Sequence, residues 1–284
     1  GHDITTNTGG ATQVAIPANF LHPIPPVTGI ANTMAASLPG SGLFSAPDDD
    51  VFTSNSMTIE ALIRPESFSS STGVIVSHFD SQADPPQRGW YLGVPTNHLL
   101  TLYLSSNGDD NNISRGMPIP IEENKSYYVA ASYTVGEDIG PNGEDTLWKI
   151  YLQNLTDNGP LHVYGTAADA SAPFTSINNV PGPLAIGSTS TLPDGTAPFH
   201  GTVDEVRISN RMLDRTELLA YYPGIPLDLV TSIRGKLSET DPGGVIESIS
   251  INVGGKETTY RPGNMVPGTL TAFGGRSTGG NYIA

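Results

Sequence analysis

The sequence predicts an all-β protein, a two-sheet antiparallel sandwich, and three observations carry that expectation. Apolar residues recur with period two in short runs; clusters of turn-forming residues separate the runs at even intervals; no helical period intervenes. Composition agrees, with 32 Gly and 24 Pro among 284 residues and only 14% charged residues. Such a chain favours many short strands joined by turns.

Residues 1–40 are polar and Pro-rich (IPANFLHPIPPVTG) and are expected to wrap the outside of the domain as an arm. From about residue 41 the period becomes two. In SMTIEALIRP, Met57, Ile59, Ala61 and Ile63 share one face, while Thr58, Glu60, Leu62 and Arg64 share the other. GVIVSHF follows, then GWYLGV with Trp90, Leu92 and Val94 on one side, and HLLTLYL with Leu100, Leu102 and Leu104. Further strands are expected at SYYVAASYT, LWKIYLQNL, LHVYG, PLAIGS and FHGTVDEVRIS. DSQADPPQ, SSNGDDNN, GEDIGPNGED and TLPDGTAP supply the turns between them. One short helix is expected after the last core strand. Asp214 would cap it with Glu217 three residues on, Leu218, Leu219 and Tyr222 would form its apolar face, and Pro223-Gly224 would end it. The sandwich proper is thus expected over 41–224. Residues 225–284 form a C-terminal extension with two strand-like pieces, LVTSIRGKL and ESISINV, and a partly disordered Gly-rich tail.

A formal net charge of −15 excludes nucleic acid as a partner, because nothing could neutralise a run of phosphates. The absence of Cys removes disulfides and thiolate metal sites. No run approaches the roughly 18 apolar residues of a membrane span. The opening GHDITTNTGG is expected to be a trimmed or mature N-terminus.

The stretch FHGTVDEVRIS raises a question of its own. In a simple strand, Asp204 would share a face with Val206 and Ile208. A buried carboxylate needs a cation, an Arg or several N–H donors.

The pieces SGLFSAPDDDVFTSNSMTIEALIRP, RGWYLGVPTNHLLTLYL, KSYYVAASYT, LWKIYLQNL, PLAIGS and FHGTVDEVRISNRMLDRTEL, in that order, resemble the concanavalin A-like lectin/glucanase family. The likeness is to its bacterial laminin G-like 3 branch, which also resembles pentraxins. MTIEALIRP stands where the family has a phenylalanine-threonine-x-glutamate strand, and GTVDEVRISNRMLDRTEL matches its glycine-x-isoleucine-aspartate-glutamate strand. Leu62 replaces the usual tryptophan, and Tyr127-Tyr128 replace tryptophan-histidine. The resemblance covers roughly residues 41–222 and implies a jelly-roll sandwich of a secreted, periplasmic or cell-surface bacterial protein. It also implies that an Asp on the last strand helps hold a structural Ca²⁺ or caps a neighbouring loop. In the first case Asp204 would share the ion with Asp48, Asp49 and Asp50 of SAPDDDVF if that loop lies beside the last strand, calcium preferring six to eight oxygens. The alternative is an Asp204 satisfied by Arg207 or by backbone amides, with no metal.

Glucanases of this fold carry their carboxylates at alternate positions of one strand. Here Glu60 stands alone in TIEAL, and the adjacent pair Asp204-Glu205 has no partner at the required spacing. A polysaccharide lyase would need a Tyr or His base beside an Arg or Lys, and the spacing of the tyrosines assembles no such site. No Gly-x-Ser-x-Gly motif or phosphate-cradling Gly loop is present, and the histidines are scattered. The favoured expectation is therefore a non-catalytic carbohydrate-binding module whose partner is a glycan. Candidate contacts are Trp90, Tyr91 and Tyr103 with Asn107 and Asp109 of the neighbouring loop. Trp90 has a competing core reading, since Leu92 and Val94 share its face. The alternative function is a structural or adhesion domain contacting another cell-surface protein.

Overall fold

In the computed structural model the described residues are 4, 6–20, 33–68, 72–80, 83–109, 111–140, 143–169, 171–189 and 197–219, with 234–236, 249–253, 256–260 and 281–283. The chain divides into two compact units, Gly1–Gly224 and Ile225–Ala284.

The first unit is a sandwich of two seven-stranded sheets. Its strands are β1 (Thr6–Thr8), β2 (Thr12–Ala15), β3 (Met34–Leu38), β4 (Leu43–Ala46), β5 (Ser56–Ser67), β6 (Gly73–Asp80) and β7 (Gln87–Val94). They continue with β8 (Leu99–Gly108), β9 (Asn112–Pro120), β10 (Tyr127–Gly140), β11 (Gly143–Asn154), β12 (His162–Asp169), β13 (Leu184–Ile186) and β14 (His200–Ser209). The first sheet runs β1-β4-β13-β6-β7-β8-β9 and the second β12-β11-β10-β5-β14-β3-β2. All neighbouring strands are antiparallel. In the second unit β15 (Arg234–Lys236) pairs with β18 (Asn281–Ile283), and β16 (Ile249–Val253) with β17 (Lys256–Tyr260). Residues 261–280, most of the Gly-rich tail, lie outside the described residues.

The period-two runs form the core as their alternation requires. Met57, Ile59, Ala61 and Ile63 of β5 meet Trp90, Leu92, Leu100, Leu102 and Leu104 of the facing sheet in one buried cluster. A second cluster lies on the outer side of the second sheet, where Leu62, Tyr128, Ala130 and Tyr151 are covered by Phe20, Leu213 and Leu218. Among the described residues no such cluster covers the outer side of the first sheet.

Two expectations are corrected. The N-terminal segment does not simply wrap the sandwich: it supplies β1 to one sheet and β2 and β3 to the other, and among its described residues Ile16, Phe20 and Ala35 join the cluster on an outer face. The expected helix is a single 3₁₀ turn, Arg215–Glu217, after which Leu218 returns to extended backbone. The reason is visible in its contacts. The segment is pulled onto the second sheet by outward-pointing side chains of β5: Met212 N–H donates to Ser56 Oγ (2.9 Å), Leu213 N–H to Thr58 Oγ1 (2.9 Å) and Leu219 N–H to Glu60 Oε1 (2.7 Å). A longer helix would use the Leu219 amide for itself. Tyr222 and Pro223-Gly224 lie outside the described residues.

The open side of the sandwich between β9 and β12 is closed by a clasp. Arg115 of β9, opposite the core residue Leu102, reaches across to Asp169 at the end of β12, Nε to Oδ2 being 2.8 Å. Trp148 Nε1–H (2.9 Å) and Ser171 Oγ–H (2.6 Å) donate to the same carboxylate. Burial alone would push the Asp169 carboxyl up, but these hydrogen bonds outweigh it and hold the carboxyl at about 2. A carboxylate whose folded pKa is depressed contributes stability above its unfolded value, and loses it as pH falls through the folded one. Acid titration of unfolding stability should therefore show a loss of about 1–2 kcal/mol between pH 4 and 2 that is missing in Asp169→Asn.

Candidate site on the outer face of the first sheet

Register places one row on the outer side of six strands of the first sheet, Ser45, Ala185, Ser77, Tyr91, Tyr103 and Ser114, in which Ala185 and Ser77 are fully buried and the β7–β9 end is the accessible part. Its centre is aromatic. The Tyr91 and Tyr103 rings stack with centroids 5.0 Å apart and an interplanar angle of 6°. Phe79 meets both edge-on, at 5.4 and 5.3 Å. The pair exists because Trp90, Leu92 and Val94 point inward from β7 and Leu100, Leu102 and Leu104 inward from β8, which turns the odd tyrosines outward at matched positions. Two residues along, the row holds Gly93, Thr101 and Gly116, of which Gly93 and Thr101 are buried and Gly116 is half-buried. Both tyrosines are half-buried. Burial pushes both phenols up, with Tyr103 further raising Tyr91 and Arg88 partly offsetting the rise at Tyr103. Both therefore remain protonated donors at neutral pH.

Arg88 and the loop after β8 close one end of this face. Arg88 Nη1 donates to the Asp109 carbonyl (2.9 Å) and lies 3.5 Å from its carboxylate. Asn107 shapes the loop: its Oδ1 accepts from the amides of Asp109 (3.0 Å) and Asn111 (3.2 Å). Tyr91, Tyr103 and Asp109 thus share one surface, joined by Arg88, which was not among the sequence candidates. Trp90 is not part of it. Its side chain is fully buried on the opposite face, and its indole N–H donates to the Phe52 carbonyl at 2.8 Å.

On the second sheet, β14 carries a bulge. Asp204 lies opposite Leu62 and Arg207 opposite Glu60, so β14 has one more residue than β5 between the two pairs. Glu205 takes the left-handed backbone at φ 48°. The extra residue breaks the alternation assumed from the sequence. Val206 and Ile208 pack against the core, while Arg207 turns to the outer side over Glu60. The buried carboxylate is therefore Glu60. It accepts from Arg207 Nε (2.6 Å) and Nη2, Tyr128 Oη (2.7 Å) and the Leu219 amide (2.7 Å). Burial and the adjacent Glu60 charge raise the Tyr128 phenol well above its ordinary value. Asp204 instead accepts from its neighbour's amide, Glu205 N–H, at 2.8 Å. Beyond the bulge β3 no longer pairs with β14, their last pair being Ala36 and Val203, and a cleft of about 440 Å³ opens there.

A family model of the concanavalin A-like lectin/glucanases superfamily, laminin G-like type 3, matches residues 38–219. The chain belongs to that family. No curated protein matches it. Among solved structures, this laminin G-like chain is similar to the enzymatically active domain of tailspike protein 2 of bacteriophage CBA120, at 15% identity and a TM-score of 0.50. That likeness covers 78% of this chain and 31% of the tailspike chain, so the chain spans about a third of its length. Domain 4 of the extracellular arabinanase AbnA from Geobacillus stearothermophilus, in complex with arabinotriose, follows at 18% identity and a TM-score of 0.44, with 75% of this chain and 88% of that one covered. CBM40 of the Ruminococcus gnavus IT-sialidase bound to α2,3-sialyllactose gives 15% identity and a TM-score of 0.43, with 62% and 85% covered. At these identities the likeness is one of fold.

The acidic residues that the laminin G-like resemblance grouped as metal ligands go to separate tasks. Asp48 Oδ1 lies 3.2 Å from Nε2 of the buried His78, which also donates to the Gly182 carbonyl at 2.9 Å. Burial lowers the His78 pKa, and Gly182 and Asp48 offset this in part. Asp49 caps a 3₁₀ turn, Asp50–Phe52, by accepting from Val51 N–H at 2.9 Å. Asp50 accepts from Asn179 Nδ2 at 3.4 Å. Among the described residues no three His, Asp or Glu side chains converge as a metal site, and Asp204 is not brought together with Asp48, Asp49 and Asp50. No helix among the described residues is long and apolar enough to cross a membrane.

Proposed function

We propose that the sandwich is a non-catalytic carbohydrate-binding module, acting outside the cytoplasm, whose ligand lies along the outer face of the first sheet. The stacked Tyr91–Tyr103 pair carries this reading. A sugar ring offers C–H groups to an aromatic surface and hydroxyls to polar neighbours, and this face supplies both. The tyrosines give the apolar surface and two phenolic donors. Arg88 and Asp109 flank them at one end with a guanidinium and a carboxylate. The second sheet's outer tyrosines, Tyr128 and Tyr151, are buried under the chain's own Phe20, Leu213 and Leu218, whereas Tyr91 and Tyr103 stay half-exposed, which supports the same choice. Glu60, the carboxylate nearest to a glucanase position, is enclosed by Tyr128, Arg207 and Leu219 and faces that covered side.

The test is a polysaccharide and glycan array, run with calcium and with a chelator, followed by titration of the best ligand against Tyr91→Ala and Tyr103→Ala. Each variant is expected to weaken binding at least about tenfold, or roughly 1.4 kcal/mol, while the unfolding midpoint stays close to that of the parent. Glycan binding unchanged in both variants would move the site elsewhere. No glycan bound under either condition would overturn the reading in favour of a protein-contact domain.

A further inference from the structure

The charges around Tyr91 and Tyr103 narrow the kind of sugar that this face would take. In the strands of the first sheet the only Lys or Arg residues are Arg88 of β7 and Arg115 of β9. Arg115 is spent at the clasp, on Asp169 (2.8 Å) and Ser171 Oγ (2.7 Å). The one histidine of these strands, His78, is fully buried. Arg88 is therefore the one basic side chain that these strands bring to the tyrosines.

Arg88 is committed before any ligand arrives. Its Nη1 donates to the Asp109 carbonyl and lies beside the carboxylate of the same residue, and its guanidinium is hydrogen-bonded to the Tyr103 hydroxyl. The loop that presents Asp109 is itself fixed. Asn112 Nδ2 donates to the Asp109 carbonyl at 3.3 Å, and Asn107 Oδ1 accepts from the Asp109 amide. Gly108 takes φ 84°, and a Cβ there would lie 3.0 Å from the Asn178 side chain and the Pro86 carbonyl. The Asp109 side chain is 65% exposed and that of Arg88 30%, so the charge turned most to solvent at this end is negative. The direction of the bonds follows from the groups. A guanidinium can only donate, so the Tyr103 oxygen accepts from Arg88 and keeps its own proton to give. This end of the face thus offers a phenolic donor beside carboxylate acceptors, which is the complement of sugar hydroxyls.

We propose that the tyrosine face selects uncharged glycans and rejects acidic ones, whether uronate, sialylated or sulfated; this rests on the glycan reading of the same face. Neighbouring hydroxyls of a neutral sugar donate to the Asp109 oxygens, and another accepts from Tyr103. The carboxylate of an acidic sugar would need a guanidinium or ammonium of its own. Here it would have to displace Asp109 from Arg88, exchanging one ion pair for another and leaving the Asp109 charge beside its own. The formal net charge of −15 adds repulsion at longer range.

The experiment uses the full chain and polysaccharides in pairs that differ chiefly in charge: methyl-esterified and unesterified polygalacturonate, and hydroxyethylcellulose and carboxymethylcellulose. A third pair is the best glycan from the array before and after oxidation of its primary alcohols to carboxylates, or, where that glycan is acidic, before and after reduction of its carboxylates. Affinities are read by calorimetry at low and at high salt. The neutral member of a pair that binds should do so at least about tenfold more tightly than the acidic one, and salt should narrow the gap by raising the acidic member. Asp109→Asn should narrow it in the same way, and the salt series tests the point on the unmodified protein if that variant disturbs the loop. An acidic member that binds as tightly as its neutral partner, and is lost in Tyr103→Ala, would overturn the selectivity and leave the face as the glycan site. A gap indifferent to both salt and Asp109→Asn would also overturn it, because charge would not be its cause. No binding by any member would overturn the glycan reading and the selectivity together.

Discussion

Glu60→Ala is expected to destabilise the sandwich by about 3–5 kcal/mol, measured as the shift in urea unfolding followed by tryptophan fluorescence. Glu60 is fully buried and accepts hydrogen bonds from three separate parts of the chain: Tyr128 on the adjacent strand, Arg207 on β14 and the Leu219 amide beyond the 3₁₀ turn. Removing the carboxylate leaves the Leu219 N–H and the Tyr128 hydroxyl without an acceptor inside the second cluster, and each orphaned group costs about 1–3 kcal/mol. The guanidinium loses less, because Arg207 is 32% exposed and can turn toward water. Hydrogen exchange gives an independent reading. The Leu219 amide should lose protection in Glu60→Ala, and Leu213, held by Thr58, should lose part of its own as the segment loosens. A loss under 1 kcal/mol with both amides still protected would mean that apolar packing of Leu213 and Leu218, and not the carboxylate, fastens this segment.

Trp90→Ala should cost about 3–5 kcal/mol as well, through a different mechanism. Trp90 is the largest fully buried side chain among the described residues, and its removal would leave a cavity beside His78 and Phe52 and take away the indole hydrogen bond to the Phe52 carbonyl. The informative comparison is with Tyr103, which lies one strand away in the same sheet. Trp90→Ala should lower stability sharply, and any glycan binding should fall only as far as the folded fraction falls. Tyr103→Ala should do the reverse. A Trp90→Phe variant, which refills most of the cavity, is expected to recover most of the stability without restoring the indole hydrogen bond.

Alternation carried most of what could be read in advance. β5, β7 and β8 announce their inward faces in sequence, and so the outward direction of Tyr91 and Tyr103 was implicit. Their stacking was not, because it depends on the register of the β7–β8 hairpin. β9 was missed because NISRGMPIP holds a Gly and two Pro, residues that read as breakers; its place at the edge of the sheet makes them tolerable. The short strands β1 to β4 carry too few residues to show a period. At the acidic pair the failure was one of phase. A single added residue in β14 exchanged the directions of Arg207 and its neighbours, so Asp204 was read as the buried carboxylate and Glu60 as an isolated one. Strict alternation on β5 had placed Glu60 correctly, on the face of Thr58 and Leu62. Only the partner on a strand far along the chain was invisible.

The position of β14 also constrains how the protein is made. It is the last strand of the sandwich to be synthesised, yet it lies in the interior of its sheet, between β5 and β3. Until it leaves the ribosome, β5 and β3 cannot meet across its place. The nascent chain then carries an open seam through the middle of the second sheet, with Ile59, Ile63 and Leu62 still unmatched on that side. Closure must be late and all-or-none, so translation products ending before residue 200 should be ready substrates for chaperones and proteases. An added or lost residue within Asp204–Arg207 should act as a defect of assembly before it acts as a defect of binding.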